Sequence, residues 1–94
     1  MTNSGFVLRR TLAIRNARGL HARAAAKLVA LVERFTALVQ VTYKNDTVPA
    51  GSIMGLMMLG AGLGAEISIE ADGWDAKEAL EAVCDLIEAG FNEE

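Results

Sequence analysis

A chain of 94 residues, 52% apolar and 22% charged, has the size and make-up of one small globular domain spanning 1–94, and its composition is wrong for a disordered protein. The formal net charge of −3 argues against generic nucleic-acid binding. That charge is divided, however: no Asp or Glu precedes Glu33, whereas six of the nine basic residues (Arg9, Arg10, Arg15, Arg18, Arg23 and Lys27) do, so a positive field is expected over the first third and a negative one over the last.

The first element expected is a strand over Val7 to Ile14, with Leu8, Leu12 and Ile14 on one face and Arg10 interrupting it. Ala22 to Arg34 follows as a helix, with Ala25, Leu28, Val32 and Phe35 at helical spacing. Leu38 to Lys44 alternates Val39, Val41 and Tyr43 against Gln40, Thr42 and Lys44, the pattern of a strand with one dry face. A hairpin turn at Asn45-Asp46 leads into a strand over Thr47 to Ala50, which Pro49 confines to a sheet edge. Ile53 to Leu59 reads as a short helix, with Ser52 as N-cap and Gly60 as its stop. Glu66 to Ala71 alternates again, with Ile67, Ile69 and Ala71 inward. The last helix spans Ala76 to Ala89, opened by an Asp75-x-x-Glu78 capping box and closed by Gly90, with Trp74 before it as a packing anchor. The order βαββαβα describes an α+β fold: an open-faced two-layer sandwich, a four-stranded antiparallel sheet with three helices on one face.

Thr47 to Ala65 is uncharged and 19 residues long, near membrane-spanning length, but its five glycines and Pro49 favour the strand, short helix and loop just described. No membrane insertion is expected. Lone Cys84 sits beside the apolar stripe of the last helix and can form neither an intrachain disulfide nor a Cys-rich metal site. With no apolar run behind the polar Met1 to Gly5, the expected compartment is the cytoplasm.

His21, the only histidine, stands at the mouth of the first helix in Gly19-Leu20-His21-Ala22-Arg23. First-turn amides have no intrahelical partner, and with the helix dipole they attract anions and disfavour imidazolium. A neutral imidazole there can attack a phosphoryl group, which the Ala22 and Arg23 amides and the Arg23 guanidinium would then hold. Against this stands the plain alternative of a helix-capping histidine, which position alone favours modestly. A metal site is not expected, because one histidine without nearby carboxylates or thiols makes a poor site. Ser52 is an N-cap serine at which a phosphate would also be stabilised. Of the apolar run that follows, Leu56 and Leu59 suit the core, and Ile53, Met54 and Met57 an exposed face able to fit several partners.

Two blocks, Gly19-Leu20-His21-Ala22-Arg23 and Gly51-Ser52-Ile53-Met54-Gly55-Leu56-Met57-Met58-Leu59-Gly60, resemble the active-site and regulatory-serine segments of HPr, the histidine-containing phosphocarrier of the phosphoenolpyruvate-dependent phosphotransferase system. The likeness runs from Phe6 to Gly90. It implies that His21 is phosphorylated on Nδ1 by enzyme I and passes the group to an enzyme IIA component. It further implies that Arg23 steadies the phosphohistidine, and that Ser52 matches the serine modified by HPr kinase/phosphorylase where that enzyme exists. Ile53, Met54, Met57 and Lys27 fall on the partner-docking side. No cofactor or metal of its own is implied, and a small solvated carrier is most simply a monomer. The family usually has Pro where Ala24 stands here, a change that retains a good helix former and resembles the nitrogen-type regulatory branch.

Two other readings compete. One is a non-catalytic regulatory binder acting through Ser52 phosphorylation and the Met-rich helix. The other is an α+β nucleic-acid module, suggested by the basic first third but lacking exposed aromatics for base stacking.

Overall fold

The computed structural model describes residues 7–93. Its elements are β1 (Val7–Ala13), α1 (Ala22–Val32), β2 (Leu38–Tyr43), β3 (Asp46–Pro49), α2 (Ile53–Met58), β4 (Glu66–Asp72) and α3 (Ala76–Glu88), followed by a terminal turn over Gly90–Asn92. The four strands form one antiparallel sheet in the order β1-β4-β2-β3. Both β1 and β2 pair with β4, so they run parallel on its two flanks, and α1 crosses over between them as a split βαβ unit.

The alternation read from the sequence sorts the sheet faces. Val39, Val41, Ile67, Ile69 and Ala71 are buried beneath the helices. Thr11, Ser68, Thr42 and Thr47 meet as hydroxyl pairs, and Arg9 pairs with Glu70, among the outward-facing side chains. Arg10 interrupts the β1 pattern without disrupting it. It is paired in register with buried Ile69, and β1 is an edge strand, so its guanidinium reaches water past the rim of the core. Pro49 lies on the opposite edge strand, β3, as its missing N–H requires.

The helices close the other face with Ala25, Leu28 and Val32 of α1, Leu56 of α2, and Ala79, Leu80, Val83 and Ile87 of α3, all buried. Cys84 is buried among them, and burial pushes its thiol up, which leaves it an inert packing group. Leu56 and Leu59 are core residues as expected, whereas Ile53, Met54 and Met57 are 41%, 69% and 42% exposed, joined by Met58. Among the described residues no helix is long and apolar enough to cross a membrane.

Three local expectations need correction. The β2–β3 hairpin turns at Lys44-Asn45, one residue early, since Tyr43 pairs with Asp46 and Lys44 takes a φ of 55°. Trp74 is not an anchor: it is 82% exposed, and its chain neighbours make the inward contacts instead, Gly73 lying against Ala37 and Asp75 bonding the Ala37 amide. Asp75 does stand at the N-cap of α3 but makes no side-chain cap bond there. Its two carboxylate oxygens accept the amides of Thr36 and Ala37, each at 2.8 Å, and so pin the α1–β2 connection to the start of α3.

Candidate functional site

The loop from Ile14 to His21 is held by backbone bonds before any side chain contributes. The Ile14 amide donates to the Ala65 carbonyl at 2.9 Å, the Ile14 carbonyl accepts the Gly64 amide at 2.8 Å, and the Leu20 amide donates to the Ala61 carbonyl at 3.1 Å. Gly19 permits this approach. Its φ is +63°, and a Cβ at that position would stand 2.3 Å from the Ala61 oxygen. Beside it, buried Asn16 donates from Nδ2 to the Gly19 carbonyl at 2.8 Å.

That loop delivers His21 to the N-cap of α1, with φ −74° and ψ 178°. The Arg23 amide donates to His21 Nδ1 at 3.3 Å. Nδ1 therefore presents its lone pair to the first turn, where the amides of Ala22 and Arg23 have no carbonyl four residues back in the helix. The histidine caps the helix, and in doing so its Nδ1 is placed at an anion-binding end. Of the two readings weighed from the sequence, the cap is the one this geometry displays, and it leaves room for the other at the same helix end.

Arg18, His21, Arg23 and Lys27 line a common cleft of about 370 Å³, with Asn92 and Glu93. Arg23 is exposed, while Lys27 is half-buried and donates from Nζ to the Phe91 carbonyl at 2.6 Å. Ser52 lies apart from this cleft, at the head of α2, where its Oγ accepts the Gly55 amide at 3.0 Å as the expected N-cap bond. The exposed Ile53, Met54 and Met57 follow it directly.

The chain terminus supplies what sequence reasoning missed. After α3 the backbone turns with φ of 64°, 57° and 59° at Gly90, Phe91 and Asn92. The Phe91 ring is fully buried, and the turn directs Glu93 back over α1. Glu93 Oε2 is bonded to His21 Nε2, and Oε1 accepts from Asn16 Nδ2 at 3.2 Å. The expectation that no carboxylate approaches His21 is thus corrected. The signal for it was charge: an acidic end of the chain and a basic first third attract each other, although nothing local shows where they meet. Among the described residues no three His, Cys, Asp or Glu side chains gather as a metal site would need.

The bond with His21, aided by the Asn16 amide and the nearby charge of Lys27, holds the Glu93 carboxyl below the usual carboxylate range despite some desolvation. A folded-state pKa below the unfolded one contributes stability above the unfolded value. That contribution is lost as the pH falls through the folded value. A carboxyl-carbon titration is expected to give Glu93 a lower midpoint in the wild-type chain than in His21→Ala; equal midpoints would show that the bond is not made.

The family model described as the PTS HPr component phosphorylation site matches residues 8–89. The phosphocarrier protein HPr of Cupriavidus necator is 45% identical over 87 residues, covering 93% of this chain and 98% of that protein. The phosphocarrier protein NPr of Shewanella violacea is 42% identical over 86 residues, covering 92% and 94%. A crystal structure of HPr from Thermoanaerobacter tengcongensis superposes with a TM-score of 0.88 at 42% identity, covering 93% of this chain and 98% of that one. Family model, relatives and fold span the same stretch, and the chain belongs to the HPr family of phosphotransferase-system phosphocarriers.

Proposed function

We propose that His21 is the residue that carries the phosphoryl group, taking it on Nδ1 from phosphorylated enzyme I and giving it to an enzyme IIA component. The observation that supports this most directly is the lone pair of Nδ1 lying against the Arg23 amide at the head of α1. In the forward step that lone pair attacks phosphorus. The new N–P bond forms as the bond to the donor breaks, with its electron pair staying on the donor. The phosphoryl oxygens then take the Ala22 and Arg23 amides, and the Arg23 guanidinium balances their charge. The next acceptor attacks the same phosphorus, and His21 recovers its lone pair. The chain is substrate and product of its own reactions rather than a turnover enzyme.

Arg18, Arg23 and Lys27 give the cleft a positive rim suited to acidic partner surfaces, and Ile53, Met54 and Met57 supply an adaptable apolar patch. These partners imply a cytoplasmic location. The test is intact mass after incubation with enzyme I and phosphoenolpyruvate. One acid-labile, base-stable phosphoryl group is expected on wild type and none on His21→Ala. If wild type stays unmodified beside a competent enzyme I, the reading as a non-catalytic binder takes its place.

Regulation at Ser52 is part of the same proposal. A phosphate there would add negative charge beside the apolar patch. Ser52→Asp is an informative mimic because Asp caps a helix about as well as Ser, so α2 should persist. The variant is expected to melt within about 0.5 kcal/mol of wild type yet accept phosphate from enzyme I at least severalfold more slowly. Equal rates would remove the regulatory role.

A further inference from the structure

The two nitrogens of His21 are constrained separately, and by different parts of the chain. The Arg23 N–H donates to Nδ1, so Nδ1 carries a lone pair and no proton. Nε2 is bonded to the Glu93 carboxylate, an acceptor, so Nε2 carries the proton. One neutral tautomer satisfies both contacts, and it leaves Nδ1 nucleophilic.

Glu93 is itself held. Asn16 Nδ2 donates both to the Gly19 carbonyl and to Glu93 Oε1. A flipped Asn16 amide would set its oxygen against two acceptors, so its orientation is determined, at the cost of leaving buried Oδ1 without a partner among the described residues. The terminal turn is anchored by the buried Phe91 ring and by the Lys27 bond to the Phe91 carbonyl. The side chains of His21 and Glu93 keep 21% and 17% of their surface, so the bond between them is partly covered at the wall of the cleft.

We infer that Glu93 is a positioning residue for phosphoryl transfer: its carboxylate, set by Asn16 and the terminal turn, fixes the His21 ring and its Nε2–H tautomer so that Nδ1 attacks. The inference rests on the proposal that Nδ1 of His21 is the acceptor. As phosphorylation proceeds, the ring becomes more positive, and the carboxylate on Nε2 offsets that charge without touching the phosphoryl group. Among the described charged residues lining the cleft, Arg18, Arg23 and Lys27 are cations, and Glu93 is the carboxylate placed to perform this role.

The experiment compares wild type, Glu93→Ala, Glu93→Gln and Asn16→Ala, with His21 labelled at both ring nitrogens. Nitrogen shifts of the neutral ring report the tautomer with no partner protein present. Wild type is expected to hold the Nε2–H form. Glu93→Ala should show a mixture of tautomers and accept phosphate from enzyme I about tenfold more slowly, the lower end of what losing a histidine's carboxylate partner costs at metal sites. The apparent KM for enzyme I should change little. Glu93→Gln, which keeps an acceptor oxygen, should restore much of the tautomer and part of the rate, and Asn16→Ala should fall between. An unchanged tautomer in Glu93→Ala, an unchanged rate, or a change in KM alone would each overturn the inference. If wild type accepts no phosphate at all, the relay reading fails, while the nitrogen shifts still decide whether Glu93 sets the ring.

Discussion

Phe91→Ala is expected to lose about 3–5 kcal/mol, the cost typical of emptying a fully buried aromatic site. For a domain of this size about 1 kcal/mol moves Tm by roughly 4–8 °C, so the melting point should fall by more than about 12 °C. Phe91 occupies a left-handed backbone position, φ 57° and ψ 23°, that an L residue adopts at a cost of roughly 1–2 kcal/mol. Burial of the ring offsets that cost. Alanine keeps the backbone penalty and loses the ring, whereas glycine is relieved of the penalty, so Phe91→Gly should be no worse than Phe91→Ala despite its smaller side chain. The effect should reach the site as well. With the plug gone, only polar contacts such as those of Lys27, Asn16 and His21 hold the terminus, and Glu93 should leave His21 at temperatures well below the main transition. A thermal scan with the His21 ring nitrogens followed in parallel checks both parts. A loss under about 1 kcal/mol would show that the terminal turn is not part of the cooperative core.

Asp75→Ala is expected to be nearly as damaging, although the residue stands outside the hydrophobic core. Its carboxylate satisfies two backbone amides, those of Thr36 and Ala37, in a place where Asp75 itself is only 7% exposed. Hydrogen bonds to a charged group contribute about 1.5–3 kcal/mol each, and a buried donor left alone costs a similar amount. A total of about 3–5 kcal/mol follows, with the Thr36 amide recovering some of its loss from water. Asp75→Asn keeps one acceptor oxygen and should cost about half as much, because its amide nitrogen is turned against one of the two donors. Chemical denaturation of the two variants gives the ordering directly. If Ala and Asn are equally mild, the connection between α1 and β2 is held by something other than this carboxylate.

These two residues show where local sequence patterns stop being informative. α1, β2, β4 and α3 were legible because each carries its own periodicity, and Ser52 and His21 were legible as caps because a cap and the helix it serves are adjacent. Asp75 carries the local signature of a cap, yet its oxygens serve amides 39 and 38 residues away, and nothing within one turn distinguishes the two uses. Trp74 has no period to judge it by, since a single apolar residue in a turn reads the same whether a pocket awaits it or not. Glu93 meets His21 across 72 residues, through a turn of three positive-φ residues of which only Gly90 advertises that conformation. Half of the candidate site, the head of α1, was therefore visible in the sequence. The carboxylate half depends on tertiary contacts that bring the turn after α3 against the head of α1.

The cap on α1 has a consequence for the energetics of the carrier. In the free protein Nδ1 of His21 accepts the Arg23 amide and so closes the end of the helix. On the proposed mechanism that lone pair is consumed when phosphorus binds, and a phosphoryl oxygen stands where it was, ready to accept the same amide. The helix exchanges one acceptor for another and never goes without. Loaded and unloaded forms should then fold with similar stability and with nearly superposable backbones. Little of the energy of the N–P bond would be dissipated in refolding the protein around it, and the group could leave for the next acceptor about as readily as it arrived.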